Sequence, residues 1–166
     1  MLNNKFLSVF VIALTVLLLA ACDKVDNKSL PGYMVRIPLS DYGRWTTYGV
    51  SGVGEYRIFN REKKLPSNYP YDATTYTGFG GVLLMMGIDM KPIAYDMACP
   101  IEARADVVIS INSENFEAYC PNCDSRYNIL TGSGGPISGM ALNHKKGLTP
   151  YAVNATGYGG YLITNR

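Results

Sequence analysis

From residue 33 onward the chain is cut into short runs of β-branched and aromatic residues, each closed by a cluster of Gly, Pro, Asn or Asp. With 17 glycines and 9 prolines, this punctuation leaves no room for a long helix and predicts many short strands. Val35, Ile37 and Leu39 alternate with Arg36 and Pro38. Gly81 to Met86, Ile93 to Tyr95, Val107 to Ile111, Phe116 to Tyr119, Tyr127 to Leu130 and Tyr161 to Ile163 each have strand length. Gly87-Ile88-Asp89 and Asn112-Ser113-Glu114-Asn115 carry hairpin-turn chemistry between paired runs. The fold class expected is all-β, a compact sandwich or barrel. One short helix is expected between Glu55 and Leu65, where Tyr56, Phe59 and Lys63 have helical spacing, and Pro66 to Thr77 reads as an exposed loop.

The N-terminus has a different logic. Residues 1–21 join a polar Asn3-Asn4-Lys5 start to an apolar run from Phe6 to Leu18 and then Leu19-Ala20-Ala21 before Cys22. At about 13 residues the run falls short of the roughly 20 a membrane-spanning helix needs, so it reads as an export signal. Leu-Ala-Ala-Cys resembles the lipobox of bacterial lipoproteins, which implies lipidation of Cys22 and cleavage before it. Acyl chains buried in a bilayer, at about 0.8 kcal/mol per methylene, would anchor the chain without spanning. The expected location is the extracytoplasmic cell envelope, with the membrane as a partner through that lipid. Residues 22–32 read as a lipidated N-terminus and flexible tether, and residues 33–166 as one domain.

Composition narrows the remaining classes. Lys5 lies in the leader, so 14 basic residues face 13 acidic ones in the mature chain, and no charged block argues for nucleic acid. A single histidine, His144, and no nucleophile elbow leave no basis for a hydrolase triad. Gly132-Ser133-Gly134-Gly135 lacks the lysine of a phosphate loop and reads as a turn.

The chemistry is concentrated in two phrases, Cys99-Pro100-Ile101 and Cys120-Pro121-Asn122-Cys123-Asp124-Ser125-Arg126-Tyr127. A hairpin from Asp106 to Tyr119 separates them, and a hairpin returns its ends together, so Cys99 is expected beside Cys120 and Cys123. From Gly80 onward the chain resembles the Rieske iron-sulfur domain family, in which a Cys-x-His and a Cys-x2-His loop hold a 2Fe-2S cluster. Cys99-Pro100-Ile101 matches the first loop with Ile101 at the histidine position. The second loop matches with Cys123 in place of its histidine, followed by the Ser-x-aromatic pattern. Gly132 to Pro136, Gly139-Met140-Ala141, Leu148 and Tyr151 resemble the downstream Gly-rich and closing segments. The resemblance implies a Rieske-like β-sandwich or barrel with a small cluster-binding subdomain, but with a degenerate ligand set.

Three fates for the thiols stay open. The first is a disulfide from Cys99 to Cys120 or within Cys120-x2-Cys123, favoured by an oxidising compartment and leaving one thiol over; a Cys99 to Cys120 link would add about 3 kcal/mol. The second is three thiolate ligands of zinc, completed by water, His144 or a carboxylate such as Asp124 or Glu102. The third fate is a variant 2Fe-2S cluster in an electron-transfer protein. A structural or binding module whose cluster site has lost its histidines is the leading expectation, ahead of the electron carrier and the zinc-stapled module.

Overall fold

Val82–Met86 is apolar at every position, a pattern a strand tolerates only when both of its faces are covered. Both are covered. In the computed structural model, which describes residues 24–166, Val82, Leu84 and Met86 point into one core while Leu83 and Met85 point into a second. The leader and Cys22, to which the signal and lipidation expectations refer, lie outside the described residues.

The strands are β1 (Val35–Asp41), β2 (Tyr56–Phe59), β3 (Tyr76–Thr77), β4 (Val82–Met86), β5 (Pro92–Asp96), β6 (Ser110–Asn112), β7 (Glu117–Tyr119), β8 (Arg126–Asn128), β9 (Pro136–Ser138), β10 (Pro150–Ala155) and β11 (Gly159–Thr164). Two short helices, α1 (Tyr42–Tyr48) and α2 (Met140–Asn143), accompany them. The larger sheet runs β2-β4-β5-β10-β11-β1-β3, antiparallel at every pairing, and is nearly closed into a barrel. The smaller sheet, β6-β7-β8-β9, is antiparallel and stands apart. Ile37, Leu39, Phe59 and Ile163 fill the barrel core, and Tyr95, Ile109, Tyr127, Ile129 and Leu148 fill the second. The β4–β5 hairpin is therefore a wall shared by two cores, and it fixes the small sheet to the barrel. Among the described residues no helix is long and apolar enough to cross a membrane.

The all-β reading holds, and several elements differ from expectation in their details. The segment expected to be helical is β2, paired with β4 from Tyr56↔Met85 to Phe59↔Val82. Burying Phe59 completely while pairing an otherwise open edge of β4 outweighs the approximate helical spacing. Asn60 and Leu65 then close a tight turn, with Lys64 at positive φ. The helix forms instead at α1, where the Asp41 side chain accepts the Arg44 N–H at 2.9 Å, the arrangement of an N-cap. Trp45 rests on Tyr161 with ring centroids 4.4 Å apart. Val107 to Ile109 does not extend β6. It is stitched to the chain before Cys99, through the Ala98↔Val108 bridge and the Ile109 N–H to Met97 carbonyl bond of 2.8 Å.

The tether is likewise not free where it is described. Asp26 N–H donates to the Lys145 carbonyl at 2.8 Å, and Gly147 N–H donates to the Asp26 carbonyl at 2.9 Å. Asn27 Nδ2 donates to the Ser133 carbonyl at 2.9 Å. These bonds seat the segment on the domain.

Candidate metal centre

Cys99 and Cys120 open two loops of the same design. Cys99 accepts a backbone bond from Ala103 N–H at 2.9 Å, and Cys120 accepts one from Asp124 N–H at 3.0 Å. In each case the donor four residues on has positive φ, 50° at Ala103 and 53° at Asp124, so each chain doubles back around its cysteine. The loops are anchored from behind by Cys99 N–H on the Val107 carbonyl and Cys120 N–H on the Ser125 carbonyl, both at 2.9 Å. Gly139 supports the second loop. Its φ is +74°, and a Cβ there would stand 2.9 Å from the Asp124 carbonyl oxygen and from Ser125 Cα.

The result is convergence of three sulfurs. The Sγ atoms of Cys99, Cys120 and Cys123 all lie within 4.8 Å of one another. Cys99 and Cys120 are fully buried and Cys123 is half-buried. All three are free thiols. The Cys99 to Cys123 distance is 3.7 Å, a non-bonded contact well beyond the ~2.05 Å of a disulfide.

Two hydroxyls serve the sulfurs. Tyr127, wholly buried, brings its hydroxyl 3.7 Å from Cys99 Sγ. Ser125 Oγ lies 3.2 Å from Cys123 Sγ and accepts the Ala141 N–H at 3.0 Å. The Cys123 thiol donates to this oxygen, and once the sulfur is ionised the hydroxyl hydrogen can turn to it instead. Burial acts upward on the Cys123 thiol, but the Ser125 hydroxyl and N–H and the neighbouring thiols outweigh it, leaving Cys123 below the ordinary thiol range. Burial dominates at Cys120 and pushes it up to about 12. Ser125→Ala is expected to weaken metal binding about tenfold, the lower end of what an outer-shell partner contributes; a competitive chelator titration against wild type reads the change.

The other residues singled out stand elsewhere. No His, Asp or Glu of the described residues joins the three sulfurs in a metal-binding group. His144 is exposed at the C-cap of α2, Asp124 is exposed, and Glu102 is half-buried. Ile101 packs against the second core, so the position that would carry a first-loop histidine is given to hydrophobic burial.

Asp96 escaped the sequence reading. It is 1% exposed and lies three residues before Cys99. Its Oδ1 accepts the N–H groups of Gly80 (3.0 Å) and Ala98 (2.7 Å), and its Oδ2 accepts Phe79 N–H (2.9 Å) and Tyr151 O–H (2.5 Å). Burial lifts this carboxyl above the usual range, against the pull of those four donors. One side chain thereby ties the approach to β4, the start of the first cysteine loop and β10. The only available signal was an acidic residue ending an apolar strand, which sequence alone does not separate from a surface turn.

No protein-family model matches this chain, and a search of curated proteins finds no relative. The Rieske resemblance accordingly rests on the order and spacing of the motifs.

Proposed function

We propose that this protein is a metal-stapled module in which Cys99, Cys120 and Cys123 hold a single zinc ion, on a lipid-anchored, extracytoplasmic domain with a Rieske-like plan. The observation that carries this reading is the convergence of three free thiols within 4.8 Å. Two ligands of a tetrahedral ion with Zn–S bonds of about 2.3 Å stand about 3.8 Å apart, and Cys99 and Cys123 are separated by 3.7 Å. Cysteines on opposite irons of a two-iron cluster must also span the metal–metal distance, so a compact triangle suits one ion better than two.

Soft thiolates select zinc over the hard cations. Three thiolates leave one position for water or an incoming ligand, and they leave the zinc centre with a net negative charge that weakens it as a Lewis acid. With no imidazole or carboxylate in the group, binding and structural duty fit this donor set better than hydrolysis. Zinc would join the loop after β5 to the turn between β7 and β8, clamping the small sheet to the wall it shares with the barrel. The lipoprotein reading is supported by the agreement of the three regions of residues 1–22.

A second reading, a variant 2Fe-2S cluster carrying electrons, is favoured by the Tyr127 and Ser125 hydroxyls beside Cys99 and Cys123, since hydrogen bonds to sulfur tune cluster potentials. Cobalt(II) loading separates the two. A single tetrahedral thiolate site gives intense sulfur-to-cobalt charge transfer at one cobalt per chain, and these bands should vanish on adding one equivalent of zinc. Failure of cobalt to produce them in the fully reduced chain would reject the single-ion site.

A further inference from the structure

The N-terminal arm, residues 24–33, stands over the start of β10 and the last two residues of the chain and leaves a cleft of about 740 Å³, within the size range of small-molecule sites. None of the cysteines lines it. Its charged side chains are Lys24, Lys28 and Arg166 against one carboxylate, Asp26. That carboxylate is already engaged, its Oδ1 by Lys28 N–H and its Oδ2 by the Ser29 hydroxyl, both at 2.9 Å. None of the three cations forms an ion pair among the described residues. Between the charges the lining is apolar, with Val25, Leu30 and Pro150. Tyr33, also part of the lining, is 54% exposed.

Cations with no ion-pair partner among the described residues, set beside apolar lining and an exposed tyrosine, match an anionic amphiphile at a membrane surface. The arm that forms one wall is pinned by the Asp26 and Asn27 bonds to Lys145, Gly147 and Ser133, so the cleft has a fixed side. Covalent reach supplies the occupant: Cys22 lies two residues beyond Lys24, about 7 Å of chain at most. We propose that the cleft takes the phosphate head group and upper acyl segment of an anionic phospholipid, seating the domain on the bilayer beside its own anchor. The inference rests on Cys22 carrying a lipid.

The test uses the full chain, exported, processed and placed in vesicles of phosphatidylglycerol carrying a diazirine near the head group. The label should map to peptides containing Tyr33 or Pro150 and fall about tenfold or more in the Lys28→Ala, Arg166→Ala double variant. It should survive excess inorganic phosphate and be lost in phosphatidylcholine vesicles bearing the same diazirine. Equal labelling of the variant, equal labelling from phosphatidylcholine, or removal of the label by free phosphate would each overturn the proposal. The mass of the N-terminal peptide reads the anchor independently. Lipid on Cys22 with no label in the cleft overturns the cleft alone, and an unmodified Cys22 with no label overturns both.

Discussion

With zinc held by the three thiols as proposed, Cys120→Ser should weaken its binding about a hundredfold. Cys120 is the buried thiol of the second loop, and its sulfur lies within 4.8 Å of those of Cys99 and Cys123, so a hydroxyl there removes one of three soft donors. Structural zinc sites bind with roughly 10–16 kcal/mol, and dividing that among the ligands puts about 3 kcal/mol, or some two orders of magnitude in affinity, on one thiolate. Because the unfolded chain has no assembled site, lost metal affinity becomes lost stability. The melting temperature should therefore drop on adding a chelator, and for Cys120→Ser that drop should be smaller and should occur at a chelator strength about a hundredfold lower. Chelator sensitivity that persists unchanged in the variant would place the metal elsewhere.

Asp96→Ala should be the most damaging substitution away from the sulfurs. It would leave the N–H groups of Phe79, Gly80 and Ala98 and the hydroxyl of Tyr151 without their acceptor, at a position only 1% exposed. Each abandoned buried donor costs about 1–3 kcal/mol. Partial relaxation brings the expected loss to about 3–5 kcal/mol, a large share of the 5–15 kcal/mol that holds a domain together. Asp96→Asn retains one acceptor oxygen and should lose less. Urea denaturation of metal-free protein isolates this effect from any contribution of the proposed zinc. A loss under about 1 kcal/mol in Asp96→Ala would show that the four bonds do not brace the first loop.

How far the sequence reveals this architecture follows from which interactions are local. β4, β5, β7 and β11 were legible because apolar runs bounded by turn residues report strands directly, and the hairpins at Gly87-Ile88-Asp89 and after Asn112 follow from local turn chemistry. The convergence of Cys99 with Cys120 and Cys123 was legible for the same reason, since a hairpin returns its own ends. The β2 and α1 assignments were not legible. β2 exists because β4 offers it an edge, and α1 depends on the Asp41 cap and on Trp45 meeting Tyr161 from the far end of the chain. Asp96 is the clearest case. Its partners at Phe79, Gly80 and Tyr151 come from two segments distant in sequence, and an acidic residue buried by them has no local signature. The seating of Asp26 on Lys145 and Gly147 was hidden in the same way, behind a composition that reads as linker.

The proposal of a single thiolate-bound ion is tested most directly by metal and acid-labile sulfide content, measured on the exported chain purified without oxygen. One zinc per chain, no sulfide, and the thiols of Cys99, Cys120 and Cys123 unreactive until the metal is removed is the predicted result. Two irons with two sulfides per chain would contradict it and assign the three cysteines to a cluster.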